Sequence, residues 1–82
     1  MLTFSEFKNI LQLIASDDSE CNILGQTLAR HFKFSHWAGK VIRLGKILFI
    51  VGKNTLYDGN TFISYEEGYQ RYLCSDESGG IL

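Results

Sequence analysis

The stretch Gly39-Lys-Val-Ile-Arg-Leu-Gly45-Lys-Ile-Leu-Phe-Ile-Val-Gly52-Lys-Asn-Thr-Leu-Tyr-Asp58-Gly59-Asn-Thr-Phe-Ile-Ser64 decides the fold, because short apolar runs alternate in it with glycine turns. β-Branched and aromatic residues fill the runs, and glycine at each break can take the positive φ of a tight reversal. The stretch therefore reads as an antiparallel meander of three to four short strands. Residues 41–44 are expected to pair with residues 47–50 across the Gly45-Lys46 turn. Ile47-Leu-Phe-Ile-Val51 is apolar at every position, the pattern of a central strand covered on both faces.

The flanking segments supply the covers. Thr3 and Glu6 have capping-box spacing, and Phe4, Phe7, Leu11 and Ile14 recur at helical intervals, widened by Ile10 and Leu13. This predicts a first helix over about residues 3–16, ended by Ser16-Asp17-Asp18-Ser19. A second helix is expected from Ser19 or Glu20, with Ile23, Leu24, Leu28, His31 and Phe32 as its inner face and Arg30 and Lys33 near its C-terminus. The short polar connection makes the two an antiparallel hairpin over one face of the sheet. Ser64 is the expected N-cap of a last helix, with Glu67 at the capping-box position and Tyr65, Tyr69, Tyr72 and Leu73 on one stripe. That helix is expected to cover the other face, its tyrosines packing with their hydroxyls in water. A face it left open would be an apolar patch of the kind that marks interfaces.

The fold class is thus α+β: a two-helix hairpin, an antiparallel β-meander of three to four short strands and a C-terminal helix. Residues 1–74 form one domain, and 75–82 read as a flexible, glycine-rich tail. A chain of 82 residues is too short to divide, and 45% apolar residues with 13% aromatic exclude a disordered protein. Cys21 and Cys74 stand far apart without a second pair, so both are expected to be reduced thiols. No basic leader and no apolar run of bilayer length is present, which points to a soluble cytoplasmic protein.

Catalytic chemistry finds little support. Cys21 or Cys74 with His31 or His36 has no local motif of a thiolate–imidazole pair, and those four residues match no compact zinc spacing. The glycines stand six or seven residues apart in a turn rhythm, unlike a phosphate-cradling loop. The expectation is a non-enzyme without cofactor or metal.

Charge is segregated along the chain. Residues 1–20 hold Glu6, Asp17, Asp18 and Glu20 against Lys8, and residues 58–82 hold Asp58, Glu66, Glu67, Asp76 and Glu77 against Arg71. Between them Arg30, Lys33, Lys40, Arg43, Lys46 and Lys53 meet no acid, and Phe34, His36 and Trp37 are interleaved. Phosphate contact plus stacking needs such a mixture, so Arg30, Lys33, His36, Trp37, Lys40, Arg43, Lys46 and Lys53 are the candidate partner-binding residues. The plainer reading of the same pattern is lysine following glycine in exposed turns, where it guards a sheet against edge pairing. Tyr65, Glu66, Tyr69 and Tyr72 form a secondary interface candidate. The expected role is a non-catalytic binding protein whose basic surface over residues 30–53 contacts nucleic acid or a nucleic-acid-handling complex, with a homodimer also compatible.

Gln26-Thr-Leu-Ala-Arg-His-Phe-Lys-Phe-Ser-His-Trp-Ala-Gly-Lys-Val-Ile-Arg-Leu44, within residues 26–46, resembles the helix-turn-helix pattern of bacterial and phage regulators. The resemblance implies a first helix holding Leu28 and Ala29, a turn framed by Phe32 and Phe34, and a recognition helix capped by Ser35 and anchored by Ile42. The following glycine hairpin would be a wing, so winged helix is the alternative fold. Lys33 stands where that turn usually carries glycine, and Gly39 where the recognition helix usually buries a branched residue. By type and composition the chain is also similar to small phage-encoded inhibitors, including anti-CRISPR and anti-restriction proteins, which implies the alternative function of inhibiting a host defence machine by protein–protein contact.

Overall fold

The computed structural model describes residues 2–75, so all of the expected tail but Ser75 lies outside the described residues. Eight elements follow in order: α1 Phe4–Ala15, α2 Ser19–His31, β1 Ser35–His36, β2 Val41–Leu44, β3 Ile47–Gly52, β4 Thr55–Asp58, β5 Thr61–Ser64 and α3 Tyr65–Leu73. The strands form one antiparallel sheet in the order β1-β2-β3-β4-β5, an α+β architecture with five strands and not three to four. The extra strand is β1, two residues pairing Ser35 with Arg43 and His36 with Ile42. Residues 35–44 therefore hold two strands and a turn in place of a recognition helix. The expected β2–β3 register is present, from Val41 opposite Ile50 to Leu44 opposite Ile47. Gly45 takes φ 62° as the first residue of that two-residue turn, where an L side chain is disfavoured.

Local chemistry sets the helix ends. Thr3 and Glu6 close a reciprocal capping box on α1. Asp18 caps α2, its carboxylate accepting from the Glu20 N–H at 3.1 Å. At the other end of α2 Lys33 takes φ 67°, its N–H donating to the Arg30 carbonyl while the Phe34 N–H donates to that of Ala29. This is the Schellman closure, with lysine at the position that glycine usually fills. Ser64 caps α3 by accepting from the Glu67 N–H, but the Glu67 carboxylate pairs with Arg71 at 3.0 Å.

Two expectations about faces are corrected. Ile23, Leu24 and His31 are exposed, Leu28 and Phe32 are half-buried, and the buried residues of α2 are Gly25 and Ala29. Helix α2 approaches α1 so closely that only small residues fit between them, and Ile23 and Leu24 are rotated outward. Helix α3, in turn, does not cross to the far side of the sheet. Gly68 lies against Leu56 and Phe7, and the Phe7 ring sits 5.5 Å from Tyr69 and 5.7 Å from Tyr72. All three helices thus pack one sheet face, presented by Ile42, Leu44, Phe49, Val51, Leu56 and Ile63. The tyrosine hydroxyls are not left to water either. Tyr65 donates to the Gly52 carbonyl and accepts from the Asn54 N–H, while Tyr69 donates to the Leu2 carbonyl.

Candidate binding face

Strand residues alternate between the two sides of a sheet, so a buried inner set implies an outer one. Here the middle of the outer set is apolar. Val41 stands opposite Ile50, Ile50 opposite Tyr57 and Tyr57 opposite Phe62, one continuous row across β2 to β5. The Trp37 N–H donates to the Val41 carbonyl at 2.8 Å, which extends the row past β1. A second row carries Ser35, Arg43 and Leu48. Nothing among the described residues covers this face: Phe62 is 73% exposed, Trp37 59%, Ile50 50% and Leu48 48%. The Tyr57 and Phe62 rings lie 4.8 Å apart and present a joint aromatic surface at the β5 edge. Trp37, Leu48, Ile50 and Phe62 are four of the six large exposed hydrophobics among the described residues, the other two being Ile23 and Leu24 on α2.

The predicted basic residues do not gather on one side. Lys40 precedes β2 and Lys53 follows β3, which places both at one end of the sheet, whereas Lys46 lies in the turn at the opposite end. Lys40 is paired with Asp17 at 2.9 Å. Arg43 points from the open face near the Lys46 end, and neither has a hydrogen-bond or ion-pair partner among the described residues. Phe34 is buried in the core. His36 lies on the inner side with Ile42, its Nε2 accepting from Arg30 Nη2 at 3.2 Å, which leaves the ring proton on a buried Nδ1 without a partner. Burial, reinforced by the Arg30 charge, lowers the His36 pKa and holds the ring neutral. Of the secondary candidates, Tyr65 and Tyr72 are core residues, Tyr69 is half-buried and Glu66 is exposed.

The thiols do not assemble a site. Cys21 is half-buried with its Sγ 3.5 Å from an Asp18 carboxylate oxygen, and Cys74 is exposed. Among the described residues no three His, Cys, Asp or Glu side chains are grouped to hold a metal ion, and no helix is long and apolar enough to cross a membrane. Compared with known proteins, the chain matches no family model, no curated sequence and no solved structure.

Leu48, Ile50, Tyr57 and Phe62 are absent from the residues singled out in the sequence. For Leu48 and Ile50 the signal is the uniformly apolar β3 run, which suits a strand covered on both faces but here is covered on one; Tyr57 and Phe62, on β4 and β5, carry no such run.

Proposed function

We propose that this protein is a non-catalytic binding module that works by protein–protein contact through the uncovered sheet face. The supporting observation is the co-facial exposure of Trp37, Leu48, Ile50 and Phe62, around half or more of each in water. Aromatic side chains cover roughly 150–250 Å² each, and apolar area transfers at about 25 cal/mol per Å², so closing this face yields several kcal/mol before the cost of association. Tryptophan, tyrosine and arginine on one surface are also the residue types that dominate binding hot spots.

Phosphate recognition is less favoured by the same geometry. It needs several free cations in one place, and here Lys40 is paired while Lys53 and Lys46 lie at opposite ends of the sheet. Leu48 and Ile50, at the middle of the face, offer no stacking plane to bases. A small inhibitor that covers part of a larger host machine is one form that such a contact takes.

The test is capture from nuclease-treated lysate of the source organism, with wild type and an Ile50→Asp, Phe62→Asp double variant as baits. Wild type should retain a partner that the double variant loses while keeping its circular dichroism spectrum. Retention by both baits would remove the face from the binding surface. Capture that disappears with nuclease and falls steeply with salt would support nucleic acid instead.

A further inference from the structure

We infer that the occupant of the uncovered face is an acidic, apolar segment of a different protein, its carboxylate received by Arg43 and Lys46. This rests on the protein-binding reading above and adds the chemistry of the partner. The strand positions facing outward are Ser35, Val41, Arg43, Leu48, Ile50, Thr55, Tyr57, Phe62 and Ser64, extended at one edge by Trp37. Arg43 is their one charge. At its end of the sheet it adjoins a shallow groove shared with Lys46, Ile47 and Arg71.

Arg71 is already neutralised, by Asp58 at 2.8 Å and Glu67 at 3.0 Å. Arg43 and Lys46 are not, so this end of the face is positive without a compensating acid among the described residues. Among the described residues the acids are committed or placed elsewhere: Asp17 on Lys40, Asp58 and Glu67 on Arg71, Glu6 and Asp18 in helix caps, Glu20 and Glu66 exposed on α2 and α3. A second copy laid face to face would bring the same cations and, from its described residues, no free carboxylate on that face. Covering Arg43 without a counter-charge would bury an unpaired guanidinium, a costly arrangement that partner selection avoids. A carboxylate can meet a guanidinium through two parallel N–H···O bonds, which fixes register as well as sign.

The spacing follows from the sheet. The Arg43–Leu48 row and the Val41–Ile50–Tyr57–Phe62 row are two residues apart along β2 and β3, about 7 Å at strand rise. A bound segment should then carry Asp or Glu two to four positions from Leu, Phe or Trp, the interval that spans the rows in extended or helical form.

The experiment is selection of a displayed random 12-residue peptide library on the full chain, followed by binding of one selected peptide to variants. Selected peptides should be enriched in Asp or Glu at that spacing from Leu, Phe or Trp. Binding should fall at least about tenfold with Arg43→Glu, Lys46→Glu and recover when the peptide's acids are exchanged for lysine. It should also be lost with Phe62→Asp. Peptides that lack acid enrichment yet require Phe62 would overturn the acidic partner and leave the face as the binding surface. Peptides indifferent to Phe62→Asp, or no enrichment at all, would overturn both readings. Sedimentation showing a micromolar dimer dissolved by Ile50→Asp would make a second copy the occupant and overturn the inference.

Discussion

Gly25 of α2 stands so close to Ile14 of α1 that a Cβ built on it would lie 2.7 Å from the Ile14 backbone nitrogen. The Asn22 side chain donates to the Ile14 carbonyl at 2.7 Å and holds the same crossing. Alanine is the better helix former by about 1 kcal/mol, while overpacking of a fitted core usually costs about 1–3 kcal/mol. Because the obstacle here is backbone, the overpacking cost falls in the upper part of its range, about 2–3 kcal/mol, and wins: Gly25→Ala should destabilise by about 1–2 kcal/mol net, read as a lower denaturation midpoint. Gly68→Ala meets mainly the flexible end of Leu56, which can turn away, and should cost less. A stabilised Gly25→Ala protein would mean that the helices are further apart.

Lys33 offers the opposite case. It sits at φ 67° with an exposed side chain, and a left-handed conformation costs an L residue roughly 1–2 kcal/mol that glycine does not incur. Part of that is returned because glycine is freer in the unfolded chain. Lys33→Gly should therefore raise stability by about 0.5–1 kcal/mol, measured by urea unfolding with an unchanged slope. A loss of stability would mean that its charge near the end of α2 matters more than its backbone.

Adjacent residues on β3 should behave very differently. Phe49 is fully buried, and Phe49→Ala should cost about 3–5 kcal/mol, enough to threaten folding in so small a domain. Ile50 faces water, so Ile50→Thr should change stability by no more than about 0.5 kcal/mol in the isolated protein. Thermal melts of the two variants check the alternation directly. Equal losses at both positions would mean that a cover lies over the second face.

The parts of this fold legible in the sequence are those written in local chemistry. Thr3 with Glu6, the acids before α2 and the glycine rhythm of residues 39–64 each fix a backbone conformation within a few residues, and those elements stand where their signals lie. Which side of the sheet a helix covers is a tertiary matter that no local signal carries. Ile23 and Leu24 look like an inner face, yet the interhelical distance selects Gly25 and Ala29. The tyrosines of α3 look sufficient for a second cover, yet Gly68 lets that helix settle beside α1. The candidate site followed from that second misplacement: Trp37 and Arg43 were legible, whereas Leu48, Ile50, Tyr57 and Phe62 emerge only once the far face is seen to be bare.

His36 ties stability to pH. Its folded pKa lies below the ordinary histidine value because burial and Arg30 disfavour the cation. As pH falls through the ordinary histidine value of about 6.5, the unfolded chain takes up a proton that the folded ring resists, so the unfolded state binds more protons and stability declines. His36→Gln removes this coupling and leaves His31 unchanged. The stability of wild type relative to His36→Gln should therefore drop between pH 7.5 and about 5, followed by denaturation at several pH values. A difference that stays constant over that range would show a His36 that titrates alike in both states.

Lys40 and Arg43 are three residues apart and belong to different surfaces, which gives a direct comparison between the basic stretch and the sheet face. The Lys40 ammonium lies 2.9 Å from Asp17, whose side chain is 98% exposed. Such exposed pairs contribute about 0–1 kcal/mol, so Lys40→Glu should fold with a small loss from the new repulsion against Asp17. Arg43 is exposed on the open face opposite Leu48, and Arg43→Glu should leave stability nearly unchanged. In partner binding the order should reverse. Arg43→Glu should weaken capture at least about tenfold, and Lys40→Glu should weaken it little, because its charge is already engaged away from the aromatic row. Calorimetric titration of each variant against a selected peptide measures both effects. Equal weakening by the two charge reversals would point to a long-range basic field over residues 30–53 in place of a contact at the sheet face.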